Sequence, residues 1–129
     1  MRRRIRHPCG VSDAVPHPIP PELAALIAER FRLLAEPMRI RMLDHLRDGP
    51  MSVGALTEVL GTSQQNASKH LGMLHAAGIV AREKAGTSTI YRIADEGVFT
   101  LCEHVCGGLG RHLDALAAVI GGSGAAPPA

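Results

Sequence analysis

The chain has 129 residues, 46% of them hydrophobic, enough for one packed domain and too many for wholesale disorder. Aromatic residues make up 2%, so neither a carbohydrate-stacking surface nor an RNA-binding sheet with aromatic platforms is available. The 14 Lys and Arg exceed the 12 Asp and Glu only because Arg2, Arg3, Arg4 and Arg6 crowd the start; elsewhere acids outnumber bases, and any nucleic-acid surface has to be a local patch.

Residues 1–20 hold that basic cluster and four of the nine prolines, and read as a mobile arm. The basic start has no apolar run or cleavage site after it, so it is not expected to be a signal peptide, and no run of 18 apolar residues predicts a membrane span. Three cysteines, Cys9, Cys102 and Cys106, do not make a disulfide framework, which points to the reducing cytoplasm.

The domain is expected over 21–121. Residues 21–35 place Leu23, Leu26, Ile27, Phe31 and Leu34 at helical spacing, with Pro21 tolerated in the first turn. After Glu36-Pro37, a second helix over 37–47 sets Met38, Met42 and Leu46 on one face, widened by Ile40 and Leu43. Asp48-Gly49-Pro50 stops it. Ser52 caps a short helix, 53–60, that ends at Gly61. Ser63 caps a fourth, 64–77, with Ala67, Leu71, Leu74 and Ala77 apolar and Gly78 closing it. Residues 53–78 therefore read as helix–turn–helix.

Residues 79–93 switch to alternation and β-branched residues around Gly86-Thr87-Ser88, a β-hairpin, which after a helix-turn-helix is a wing. A last helix over 95–120 opens on Asp95 and Glu96, which suit its positive end. Leu101, Val105, Leu109, Leu113, Leu116 and Ile120 make a continuous apolar stripe, interrupted by Gly107, Gly108 and Gly110. Each interior Gly costs roughly 1 kcal/mol relative to Ala, so the close approach of another helix is expected to offset it. The fold class is mainly α with a β-hairpin, a winged helix-turn-helix, forming a homodimer through the first and last helices. Residues 122–129 read as a flexible tail.

The stretch from Phe31 to Ile93 resembles the ArsR/SmtB family of bacterial winged-helix repressors. Its most specific part is Ser63-Gln64, Ser68-Lys69-His70-Leu71, Leu74 and Ala77-Gly78-Ile79-Val80, close to the family's SQ-x-x-x-S-x-HL-x-x-L-x-x-AG-[LI]-V pattern. The resemblance implies a dimeric repressor that leaves double-stranded operator DNA when an effector binds.

The residues agree with that implication. Helix 64–77 carries Gln64, Gln65, Asn66, Ser68, Lys69 and His70 in its first two turns and no acid anywhere. Gln and Asn can bond base edges, and Lys and Ser suit phosphate or guanine. Ser63 and the free N–H groups of the helix start suit a phosphate. The wing offers Arg82, Lys84 and Arg92 against Glu83, with Thr87 and Ser88 at its tip as further contacts. Arg2 to Arg6 add non-specific phosphate attraction. A dimer would read an inverted repeat with half-sites about one helical turn apart.

The effector site departs from the best-known family patterns. Where the arsenic type has Cys-x-Cys, Met51-Ser52-Val53-Gly54 stands; Asp95 matches the first ligand of the zinc type, but Gly97 and Gly108 replace its histidines. What remains is Cys102-x-x-x-Cys106, an i, i+4 pair with Cβ atoms roughly 5–6 Å apart on one helix face. With Cys9 as a third sulfur it would make a three-thiolate site suited to arsenite or antimonite, or another thiophilic ion such as zinc or cadmium; no organic cofactor is expected. His7 and His17 flank Cys9 along the arm, while His104 points away from the thiols. The alternative is a redox- or persulfide-sensing repressor switched by cysteine oxidation, although its relatives use a second-helix Cys that 37–47 lacks. A thiol enzyme is disfavoured, because the spacing is not Cys-x-x-Cys and no nucleophile–base set accompanies it. A winged helix that binds only protein is disfavoured by the acid-free helix.

Overall fold

A computed structural model describes residues 15–120. The arm residues Arg2, Arg3, Arg4, Arg6, His7 and Cys9 and the expected tail at 122–129 lie outside them. Helix α1, Pro21–Leu34, starts with Pro at its first position and ends one residue earlier than expected. Helix α2, Pro37–Leu46, is capped by the Glu36 carboxylate, whose Oε2 accepts from Met38 N at 3.3 Å. Its buried face holds Met42, Leu43 and Leu46 as expected, with Met38 packed against it, but adds Arg39 and leaves out Ile40. Ile40 turns outward, because the i, i+3, i+4, i+7 row that faces the core runs through position 39.

Strand β1, Met51–Ser52, escaped the sequence reading because two residues carry no period. Helix α3, Val53–Leu60, begins where Ser52 Oγ accepts from Ala55 N at 3.0 Å. It ends at Gly61, whose φ of 66° is left-handed and open to glycine at no steric cost. Helix α4, Gln64–Ala76, is capped by Ser63 Oγ accepting from Asn66 N at 3.0 Å. Ala77 is the C-cap rather than a helical residue.

Strands β2, Val80–Ala85, and β3, Ser88–Ile93, pair antiparallel from Val80↔Ile93 to Ala85↔Ser88. The turn is Gly86-Thr87, with Gly86 at φ 66°, so Ser88 belongs to the strand and not to the loop. The hairpin base is closed by the Ile79 carbonyl, which accepts from Ala94 N at 2.9 Å and Asp95 N at 3.1 Å. β1 adds to β3 with Met51↔Tyr91, giving the sheet order β1-β3-β2. Helix α5, Gly97–Ile120, starts two residues later than expected, with Asp95 as a cap: its Oδ1 accepts from Gly97 N at 3.0 Å.

One cluster forms the core: Met42, Leu43 and Leu46 of α2, Val53, Leu56 and Leu60 of α3, Ala67, Leu71 and Leu74 of α4, then Ile79, Val80, Tyr91 and Val98. Each fully buried Leu contributes about 1.5–3 kcal/mol of transfer free energy. α1 contributes no fully buried side chain, and α5 contributes Val98 with Phe99 and Cys102 leaning on the cluster. Helix-turn-helix plus a three-stranded wing on this core is the winged helix-turn-helix fold. Among the described residues no helix is long and apolar enough to cross a membrane.

Candidate nucleic-acid interface

The core decides which side of α4 is available. Ala67, Leu71 and Leu74 are buried, so Ser63, Gln64, Gln65, Ser68 and Lys69 stand on the exposed side. They begin at the helix N-terminus, where unpaired N–H groups and the helix dipole favour an anion. Helix α4 carries no acid to oppose a phosphate backbone. The chemistry available there is hydrogen bonding to base edges from two glutamines and charge attraction from one lysine.

Two predicted contacts are partly engaged within the protein. Asn66 is half-buried, and its Nδ2 donates to Thr62 Oγ1 at 2.8 Å, tying the helix to the turn before it. His70 is half-buried, with Nδ1 3.0 Å from Arg39 Nη1. Each keeps fewer groups for a duplex than Gln64 or Gln65.

The wing divides its cations between two faces. Directly paired residues of an antiparallel ladder share a face. Arg82 pairs with Tyr91 and Lys84 with Thr89, so both arginine and lysine sit on one side, with Thr87 and Ser88 exposed at the tip. Arg82 Nη1 reaches Tyr91 Oη at 3.5 Å. Arg92 pairs with Ala81 and therefore lies on the opposite face, lining a cavity of about 710 Å³ with Arg47, Phe99 and Glu103. The structure groups Arg82 and Lys84 but does not bring Arg92 to them.

Of the thiols, Cys102 is half-buried against the core and Cys106 is exposed one turn on; both are free. His104 is exposed. Beside them, Arg47 sits 5.0 Å over the Phe99 ring and 3.4 Å from Glu103 Oε2, an exposed pair of small energetic weight. Among the described residues no three His, Cys, Asp or Glu side chains converge to hold an ion, so the cysteine pair alone does not complete a site.

Sequence reasoning passed over Arg39 and Arg30. Arg39 is 8% exposed and is the one buried charged side chain among the described residues. Its spacing from Met42, Leu43 and Leu46 was the available signal. Arg30 Nη1 donates to the Ala77 carbonyl at the end of α4, 2.9 Å away.

Comparison with known proteins places this arrangement. A family profile described as a helix-turn-helix domain matches residues 34–83. The HTH-type transcriptional regulator KmtR of Mycobacterium tuberculosis is 35% identical over 108 residues, which span 78% of this chain and 83% of that protein. The homodimeric winged helix-turn-helix DNA-binding domain of Mb0332 from Mycobacterium bovis, described as a possible ArsR-family regulator, superposes with a TM-score of 0.63 at 33% identity; the match covers 71% of this chain and 85% of that one. The antimony-specific transcriptional repressor AntR superposes with a TM-score of 0.67 at 26% identity, over 77% of this chain and 90% of that one. With a winged fold, an acid-free second helix in its helix-turn-helix and these relatives, the chain belongs to the ArsR/SmtB family of winged helix-turn-helix transcriptional regulators.

Proposed function

We propose that two copies of the chain bind operator DNA as a repressor and that a thiophilic ion held by Cys102 and Cys106 releases them. The observation that carries the DNA reading is the exposed, acid-free first half of α4, with Arg82 and Lys84 on one face of the wing as a second basic element. The paired state rests on α1 and α5. Leu26 and Phe31 of α1 and Val105, Leu109, Leu113, Leu116, Val119 and Ile120 of α5 are exposed, Val119 at 83%, so the stripe has no partner within the described residues. A Cβ on Gly110 would meet nothing within 4 Å, whereas one on Gly107 or Gly108 would meet the Arg111 guanidinium at 3.5 and 3.7 Å, so of the three glycines Gly110 is the one open to a second helix. The likeness to the homodimeric Mb0332 domain supports a paired state here. Two copies present two α4 helices to an inverted repeat with half-sites about 34–36 Å apart.

The sensor reading rests on the i, i+4 thiols on the helix that would form the dimer, and on the likeness to an antimony-specific repressor. One sulfur is half-buried and the other exposed, so an ion has a path to the pair from solvent. A third donor has to come from outside the described residues or from the second copy, and Cys9 is the thiol available. Arsenite or antimonite is the expected effector. A coupling of about 1–3 kcal/mol lowers DNA affinity roughly 5- to 150-fold.

The test is fluorescence anisotropy with a labelled duplex selected by the wild-type chain from random sequences. Added arsenite or antimonite should release the wild type, and Cys102→Ser and Cys106→Ser should stay bound. Release of both serine variants at wild-type ion concentration overturns the ion site. The exposure of Cys106 also favours an oxidation-switched repressor. In that case polysulfide or peroxide, and not arsenite, releases the duplex, with a bridged adduct seen by mass spectrometry.

A further inference from the structure

Arg39 is a buried cation placed where an apolar residue would serve the core as well. Among the described residues no carboxylate pairs with it. Its donors go elsewhere: Nε to the Leu33 carbonyl in the last turn of α1 at 2.6 Å, Nη1 to His70 Nδ1 of α4 at 3.0 Å, and Nη1 again to Met73 Sδ at 3.5 Å. A guanidinium only donates, so His70 Nδ1 has to accept, and the ring proton sits on Nε2. The guanidinium is flat and rigid, and its fork links α1 to the middle of α4 at a set angle. Arg30 holds the far end of the same helix from α1, through the Ala77 carbonyl. The reading helix is thus held at two levels, by Arg30 of α1 at its end and by Arg39 of α2, itself tied to the end of α1, at its middle; of the two only the Arg39 joint touches a residue within its DNA-facing half.

We propose that Arg39, acting through His70 Nδ1, is a positioning residue that sets the pitch of the reading helix against α2 and the end of α1 and so decides sequence discrimination rather than general DNA affinity. The proposal rests on the DNA reading above and adds the part that aims it. Non-specific attraction depends on charge and survives a helix that tilts by a few degrees. Base readout does not, because bidentate hydrogen bonds require both atoms in place. The joint is also the place where a shift of α1 in a dimer would reach α4.

The experiment uses the full chain and two duplexes of equal length: the one selected by the wild type from random sequences, and a scrambled version. Arg39→Lys keeps the charge but loses the fork. His70→Asn puts an amide oxygen where Nδ1 stood; His70→Gln carries its amide near the Nε2 position instead. Arg39→Lys and His70→Gln should lose at least tenfold on the selected duplex and keep wild-type affinity for the scrambled one, and His70→Asn, which restores an acceptor at the Nδ1 position, should recover most of the loss of His70→Gln on the selected duplex. The double variant Arg39→Lys/His70→Gln should lose no more than either single change. ¹⁵N NMR of the His70 ring should report the Nε2–H tautomer in the wild type and a tautomer mixture in Arg39→Lys. The proposal is overturned if His70→Asn falls as far as His70→Gln, since the ring then acts on DNA directly. It is equally overturned if affinity for both duplexes falls together with thermal stability, or if the tautomer does not move. If the wild type enriches no duplex, the DNA reading falls with it; enrichment with an unaltered Arg39→Lys variant removes the positioning role alone.

Discussion

Gln65 and Lys69 sit on the same exposed side of α4, and the proposed DNA reading gives them different work that substitutions separate. Gln65→Ala should cost about 1–3 kcal/mol on the selected duplex and leave the salt dependence alone, as expected for a base contact. Lys69→Ala should weaken all duplexes alike and reduce the slope of log K against log salt by about one, as expected for a phosphate contact. Anisotropy titrations at several salt concentrations distinguish them. The polar residues of the reading helix were legible from composition and spacing alone. The inward engagement of Asn66 and His70 was not, because it depends on Thr62 and on Arg39, and Arg39 is 31 residues away from His70 along the chain.

At the level of elements, Ser63 serves two ends. Its hydroxyl caps α4, and its place at the helix start suits a phosphate. Ser63→Ala should cost about 1 kcal/mol in urea denaturation through loss of the cap. Ser63→Asp should restore stability, since Asp caps as well, yet weaken DNA binding by setting a negative charge against phosphate. Equal DNA affinity for the Ala and Asp variants would show that this helix start does not face the backbone. Capping signals such as Ser52, Ser63, Gly61 and Gly78 were readable in the sequence because caps act within three or four residues. β1 was not, because a two-residue strand exists only through its pairing with Tyr91 and Ile90. Nor was the separation of Arg92 from Arg82 and Lys84, which follows from the ladder register.

For the whole molecule, the unpartnered stripe of α5 makes a direct prediction. Leu109 and Leu113 are 57% and 53% exposed, so replacing both by Glu should leave the winged domain folded by circular dichroism. Sedimentation should then show a monomer for the variant and a dimer for the wild type, and affinity for the selected duplex should fall by at least tenfold if two copies bind it together. A dimeric double variant would mean that this stripe is not the contact between copies.

Local chemistry wrote most of the architecture into the chain: apolar period, caps, stop signals and the hairpin turn all act over a few residues, and the pattern at Ser63–Val80 carried the family. Tertiary packing decided the rest. It put Arg39 rather than Ile40 inside, turned His70 toward that guanidinium, split the wing's cations between two faces and left the second half of α5 uncovered by the other described residues. These features depend on residues far apart in sequence meeting at angstrom range, and a one-dimensional period cannot say which neighbour waits on the other side of a helix.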